Sequence, residues 1–359
     1  MFLSLMLFEG FSVQELDPGE LNYPNHPFRW DAGGTQNNVN GIDGDWVSPS
    51  PCNATNCEGA EMHTLVAGKP PAVTTAQNNY VCQMVQSLNG YTRLFWEVSN
   101  ESNSSSLSWQ NSVAGVIRTC EQSLPNRHLV WISHPQGLSN VALFGSSAEI
   151  VSPSKNELAV TATGGTVPGS RYQTDPPVTS GAKVVILDTD HLGADCSWCD
   201  AAWVWKAFTR GYHLALLDDL GSVSATQRQN VRRGINDTLG YAQKIRLVDM
   251  APQDENQATP CSTRYCLYTS NNPDPVPYAP AVPNGDQYLV FKPNTVSNVT
   301  IYNLPAGTYS GEWFRVPSSA VQAVASFTHS GGNKTFTSPW PTNAAALWIT
   351  DGTNYLCPK

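Results

Sequence analysis

Leu94-Phe-Trp-Glu-Val-Ser-Asn-Glu101 is an apolar run that ends in an Asn-Glu pair and then dissolves into a Ser-rich, polar stretch, residues 102–108. A buried strand that carries Asn100 and Glu101 to its C-terminal tip and opens there into a loop is how a β/α barrel presents a carboxyl group on its active face. The segment therefore predicts a parallel sheet with its functional side chains at the strand ends.

The flanking sequence extends the pattern. Upstream, Ala76, Tyr80, Val81, Met84, Val85 and Leu88 recur at helical spacing, and Asn89-Gly90 closes the helix. Downstream follow a helix over 107–124, strands over 128–133, 148–151 and 183–188, a helix over 201–209, a strand over 213–217 and a helix over 224–245. Strands alternating with helices imply a parallel sheet wrapped by helices, and Val184-Val-Ile-Leu187 is apolar throughout, as a strand covered on both faces must be. After about residue 249 the pattern changes to short strand-like runs at 263–268, 287–291, 298–304, 308–316, 323–328, 334–337 and 345–350. Runs this short, separated by turn residues, indicate an antiparallel β-sandwich. The fold class is thus α/β, a TIM-type barrel over residues 1–250 followed by a small sandwich over 258–359.

Met1-Phe-Leu-Ser-Leu-Met-Leu-Phe8 lacks a basic leader and has Glu9 where a signal peptidase site would fall, so it reads as a core strand rather than a signal peptide. No other run reaches the length of a membrane span. Residues 17–69 form a long polar segment without periodicity, which marks it as functional rather than a simple connector.

The 359 residues carry a net charge of -9, with 14% charged and 40% apolar side chains. An acidic chain argues against nucleic acid and anionic membranes and for a neutral partner. Eleven Trp and thirteen Tyr in a Gly-, Pro-, Ser-, Thr- and Asn-rich sequence suit a secreted protein that handles sugars. Sequons at Asn53, Asn103, Asn236, Asn298 and Asn333 are candidate glycosylation sites; a sixth, at Asn100, is expected to stay bare beside a cleft. Of nine cysteines, Cys52/Cys57, Cys196/Cys199 and Cys261/Cys266 lie in close pairs, and Cys82 and Cys120 stand apart. The pairs lack companion His at zinc spacing, so these eight read as disulfide cysteines of an oxidising compartment, with one thiol left over.

Glycosidic hydrolysis needs two carboxyl groups flanking the scissile bond, and a barrel must supply them from strand ends. Glu101 is one, and the bland alternative is a surface Glu at a strand end. Glu97, an even number of residues away, shares its side of the strand and is either an alternative acid or a partner that tunes it. The second placement is Leu187-Asp-Thr-Asp-His191, where Asp188 and Asp190 emerge as the apolar run stops and His191 can hold one of them ionised. No third or fourth ligand in a fixed frame accompanies these residues, so neither metal nor another cofactor is expected. Trp96, Trp131, Trp198, Trp203 and Trp205, with His134 and Arg210, gather near these ends; flat aromatic faces bind sugar rings and His, Asn and Asp read hydroxyls. One of Trp203 and Trp205 is expected in the core. Asp218, after the last strand of the series, is either a further strand-end site or a helix cap.

At these residues the chain resembles the apiosidase-like group of clan-A β/α-barrel glycoside hydrolases that carry a C-terminal module of the collagen-binding type. The matching pieces are Leu5-Met-Leu-Phe-Glu-Gly-Phe-Ser12, His26-Pro-Phe28, Asn37-Asn-Val-Asn-Gly-Ile42, Trp96-Glu-Val-Ser-Asn-Glu101, Trp109-Gln110, Leu187-Asp-Thr-Asp-His-Leu192, Trp203-Val-Trp-Lys-Ala-Phe-Thr-Arg-Gly211 and Thr263-Arg-Tyr-Cys-Leu267, with Tyr288-Leu-Val-Phe291 and Gly311-Glu-Trp-Phe314 in the C-terminal part. The resemblance implies a retaining mechanism, with Glu101 as acid/base and an acidic nucleophile at the end of the seventh barrel strand. That nucleophile is normally Glu in the clan, whereas Asp188 stands here, which leaves Asp188 and Asp190 both open. Substrate contacts are expected from Asn100, His26, Asn38, Trp96, His134, His191, Trp198 and Asp218. The order of motifs makes Met1–Phe8 the third barrel strand, so the first two are expected to be missing. Truncation, closure by another copy of the chain, or loss of the closed barrel would each account for that. Two functions follow as expectations: an extracellular hydrolase of plant or microbial polysaccharide, or a catalytically degenerate relative that binds glycan or builds an assembly.

Overall fold

A computed structural model describes residues 3–9, 63–65, 71–100, 102–193, 196–216, 224–270 and 283–352. The chain divides into two compact units, Met1–Pro153 and Ser154–Lys359.

In the first unit, β1 (Leu3–Glu9), β2 (Leu94–Asn100), β3 (Leu129–Ser133) and β4 (Ile150–Ser152) are hydrogen-bonded in that order, all parallel. Helices α1 (Pro71–Leu88), α2 (Leu107–Glu121) and α3 (Asn140–Phe144) alternate with them. Strand alternation sorts the side chains. Trp96, Val98, Leu7, Val130 and Ile132 are fully buried on one face, while Phe95, Glu97 and Trp131 occupy the other. Asn89, the helix-closing residue, accepts from the Asn126 backbone N–H at 3.1 Å and donates to its carbonyl at 2.7 Å, so one side chain fastens the loops after both long helices. A Cys82–Cys120 disulfide ties α1 to α2, with Cα atoms 5.4 Å apart.

The second unit opens with a two-stranded ribbon, β5 (Ala159–Val160) and β6 (Thr166–Val167), and a single helical turn, α4 (Arg171–Thr174). The parallel pair β7 (Val184–Asp188) and β8 (Tyr212–Ala215) follows, interleaved with α5 (Ala201–Thr209) and α6 (Ala225–Lys244). The parallel strands thus number six among the described residues, four in one unit and two in the other, and the α/β reading holds.

Beyond them lies a separate antiparallel sheet in the order β13-β12-β14-β11-β10-β9. Its strands are β9 (Met250–Pro252), β10 (Cys266–Ser270), β11 (Pro283–Lys292), β12 (Asn298–Arg315), β13 (Ala320–Thr337) and β14 (Ala345–Thr350). The expectation of many short strands is corrected here, because the runs at 298–304 and 308–316 are one strand of 18 residues, as are those at 323–328 and 334–337. The residues that read as turns are bulges instead. Asn303 (φ 54), Gly331 (φ 96) and Gly332 (φ 99) take left-handed conformations beside the register shift between Ile301 and Leu304, which bends the hairpin without reversing it. The bend is visible in the core. Val299 and Ile301 share one buried cluster with Tyr309 and Trp313, yet a straight strand from 299 to 313 would separate its ends by about 46 Å. The strands belong to one antiparallel sheet rather than to two independent ones. The opposite face, with Leu267, Leu289, Phe291, Phe314 and Ala346, packs against Trp205 of α5 and Tyr241 of α6.

Candidate active site

The described strand tips form two groups, one in each unit. In the first, β2 ends at the half-buried Asn100. Glu101 lies outside the described residues, as do His26, Asn38, Asp218, Asn53, Cys52 and Cys57. The Ser-rich stretch after the tip serves local capping. Ser99 and Ser102 share a hydroxyl hydrogen bond of 2.6 Å, and Asn103 accepts from the Ser105 N–H at 3.0 Å to start a short 3₁₀ turn that runs into α2. Two residues back along the strand from Ser99, the Glu97 carboxylate accepts from Ser133 Oγ of β3 at 2.5 Å and from Ser4 Oγ of β1 at 3.3 Å. A carboxylate held from both flanking strands has a fixed orientation. Phe95 and Trp131 meet edge to face on the same side, 5.9 Å between centroids.

Trp96 is not on that side, which corrects its assignment as a sugar contact. It is completely buried, its indole N–H donates to Glu121 Oε1 at 3.2 Å, and its ring abuts His128 at 5.8 Å. A side chain that fills the helix-facing core has no face to offer a ligand. His134 is likewise buried, and its Nε2 donates to the Leu138 carbonyl at 2.5 Å within its own loop.

In the second unit, Val185 and Leu187 of β7 are buried on one face while Val184, Ile186 and Asp188 line the other. The strand stops at Asp188. The alternation that would put Asp190 on the same face does not reach it; instead Asp190 lies in a turn and its backbone N–H donates to Asp188 Oδ1 at 3.1 Å. Burial pushes the Asp188 carboxyl above its ordinary value of 3.8, and the charge of Asp190 adds to this, while His191 and the Asp190 N–H pull the other way. Register places His213 of β8 beside Ile186, hence on the Asp188 face, where its side chain is exposed. Sequence reasoning gave His213 no role, because only the strand register reveals which face it occupies.

Trp198 is held with little freedom. Its ring stands edge-on to Trp203 at 4.9 Å, its N–H donates to the Gly193 carbonyl at 3.4 Å, and the loop bearing it is closed by the Cys196–Cys199 disulfide. Gln227 Nε2 of α6 braces that loop through the Ser197 carbonyl at 2.6 Å and the Cys196 carbonyl at 2.9 Å. Trp203 and Trp205 are both core, where one was expected. Arg210 is also buried and engages Glu255 at 3.1 Å rather than a cleft.

The third described disulfide joins Cys261 to Cys266. Asn236, Asn298 and Asn333 are exposed on α6, β12 and β13, whereas the Asn103 side chain is occupied by its cap. Among the described residues no three His, Cys, Asp or Glu side chains are grouped to hold a metal ion, and no helix is long and apolar enough to cross a membrane. A cavity of about 570 Å³ lined by Leu3, Leu5, Leu88, Tyr91, Arg93 and Leu94 lies at the N-terminal ends of β1 and β2. That is the face opposite the strand tips, so the cavity takes no part in chemistry built at those tips.

No family model and no curated protein matches the chain. Among solved structures it is similar to a family 5 glycoside hydrolase from Bacteroides vulgatus, with 11% identity over 80% of this chain and 71% of that one and a TM-score of 0.49. A structure described as a glycoside hydrolase matches 78% of this chain and 70% of its own at 10% identity, TM-score 0.45. A family 27 β-L-arabinopyranosidase from Geobacillus stearothermophilus matches 99% and 75% at 9% identity, TM-score 0.39. These neighbours are glycoside hydrolases, but with TM-scores below 0.5 the functional reading rests on the chain's own residues.

Proposed function

We propose that the chain is a secreted glycoside hydrolase of the apiosidase-like β/α-barrel type that cleaves a plant or microbial polysaccharide through Glu101 and Asp188. One observation carries the reading: Asp188 ends a parallel strand on its open face, with one carboxylate oxygen bound by a backbone N–H and a rigid Trp in the loop that follows. Oδ1 is thereby fixed and Oδ2 is left for attack on an anomeric carbon. In the retaining course, Asp188 forms a glycosyl ester as Glu101 protonates the leaving oxygen, and Glu101 then deprotonates the water that hydrolyses the ester. Asp190 orients the nucleophile through its backbone, and the three disulfides among the described residues suit an extracellular setting.

Chemical rescue tests the roles. Glu101→Gln should lower turnover of an active polysaccharide by about 10²–10⁴-fold. Azide should rescue Asp188→Ala with inversion at the anomeric carbon and Glu101→Ala with retention. Because attack needs the ionised carboxylate and Asp188 is raised by burial, activity in the wild type should rise with pH through a limb above the ordinary Asp range. Turnover unchanged in either variant would remove that residue from the mechanism.

A second reading, a glycan-binding relative that works within an assembly, is favoured by β1. Among the described residues it ends its sheet, with Leu3 61% and Met6 39% exposed, the kind of apolar edge that a further strand covers.

A further inference from the structure

Several cations of the second unit are committed to acids, Arg171 and Arg210 to Glu255, Lys244 to Glu312 and Arg246 to Asp249, and others to carbonyls, as Lys206 is to that of Thr174. Lys155 departs from this. It is half-buried, yet among the described residues its ammonium makes no hydrogen bond or ion pair. Its place is fixed from the backbone, because the Lys155 N–H donates to the His191 carbonyl at 3.3 Å, three residues from Asp188. Its side chain converges with two others on Gly193: a Cβ added to that glycine would lie 3.2 Å from Gln173 Nε2, 3.4 Å from Lys155 Cε and 3.4 Å from Trp198 Nε1. Gln173 is locked by donating to the Leu192 carbonyl, and Trp198 by its bond to Gly193. The result is a prearranged amide, indole and ammonium around one glycine, on the loop that leaves the Asp188 strand tip.

A half-buried lysine whose ammonium is paired with no described acid is available to an anion that reaches it, and an ammonium–carboxylate hydrogen bond is among the stronger ones. An indole beside it supplies the flat surface that a sugar ring stacks on. We propose that Lys155 and Trp198 form a subsite for a uronate, the Trp against the ring and the Lys on the carboxylate. The inference deepens the carbohydrate reading of the same strand end and rests on it. It also revises the partner suggested by overall charge: a chain of net charge -9 repels a polyanion at long range, so recognition of an acidic sugar has to come from a local, partly buried cation of this kind.

The test is calorimetric titration with oligogalacturonides of one length and the same oligomers fully methyl-esterified, on the wild type, Lys155→Gln and Lys155→Arg. The wild type should bind the free acid about tenfold or more tighter than the ester, with the preference weakening as salt rises. Lys155→Gln should abolish the preference and Lys155→Arg retain it, with thermal melts of both variants unchanged. Equal affinity for acid and ester, no binding of either, or a preference that survives in Lys155→Gln each overturns the proposal. Binding is read without turnover. Discrimination with no hydrolysis would therefore sink the hydrolase reading alone, and hydrolysis with no discrimination would sink this subsite alone.

Discussion

Replacing Arg210 by Met should unsettle the second unit more than its distance from any strand tip suggests. Arg210 is 0% exposed at the end of α5; its Nη1 donates to Glu255 Oε2 at 3.1 Å, its Nη2 lies 3.5 Å from Asp175 Oδ1, and its guanidinium sits 4.8 Å from the Tyr265 ring centroid. The substitution removes one charge-assisted hydrogen bond, about 1.5–3 kcal/mol, and a desolvated cation–π contact of about 1–2 kcal/mol. Two terms reduce the loss. Arg171 still binds Glu255 through two bonds, at 2.6 and 3.1 Å, and the variant no longer buries a guanidinium whose Nε has no partner. The net destabilisation is expected at about 2–4 kcal/mol, which for a unit of this size lowers Tm by roughly 5–15 °C.

Calorimetry and urea unfolding of Arg210→Met, Glu255→Gln and the double variant would measure both the loss and the pairwise coupling. The network also sets a pH signature. Burial raises the Glu255 and Asp175 carboxyls, but Arg171 and Arg210, and for Asp175 foremost the Tyr265 hydroxyl, outweigh it and hold both below their ordinary values. Their contribution is therefore present above the ordinary carboxylate range and is lost as pH falls through the depressed folded values. In Arg210→Met the folded values are less depressed, so the acid-dependent loss should be smaller and complete at higher pH. A destabilisation or a coupling under about 0.5 kcal/mol would refute the argument.

Two further outcomes separate core from ligand contacts and rank the crosslinks. Trp96→Phe should cost about 1–3 kcal/mol through the lost bond to Glu121 and leave saccharide affinity unchanged, whereas Trp198→Ala should weaken binding with little change in Tm; melts and titrations on both decide it. Cys82→Ser/Cys120→Ser opens a crosslink across 38 residues and should destabilise by about 4 kcal/mol, against under about 2 kcal/mol for the three-residue Cys196/Cys199 loop; equal unfolding shifts would show that loop entropy does not govern them.

The parallel strands were legible because a strand covered on both faces must be apolar along its length, and Leu94-Phe-Trp and Val184-Val-Ile-Leu187 are. The C-terminal hairpin was less so. Asn303, Pro305, Gly307, Gly331 and Gly332 carry the composition of turns, and nothing local distinguishes a reversal from a bulge when both strands continue beyond it. That choice is made by pairing, residue for residue, between segments 30 positions apart, as in the Asn303 N–H bond to Asn333 Oδ1 at 3.1 Å.

Side-chain roles divide along a similar line. The parity that puts Glu97 on the side of position 101 also puts Trp96 on the opposite side, so the burial of Trp96 was available from spacing alone and was masked by the attraction of an indole next to an acid. No such rule applies to the cations. Arg210, Lys292 and Lys155 each sit in largely uncharged sequence, yet Arg210 closes a buried ion-pair network. Lys292 is completely buried with its ammonium on the carbonyls of Pro293, Val296, Pro341 and Asn343. Their partners lie up to 51 positions away, beyond any local pattern. Only once those two are seen to be engaged does the third stand out, and the functional weight of Lys155 comes from that contrast: a half-buried lysine that no described acid meets.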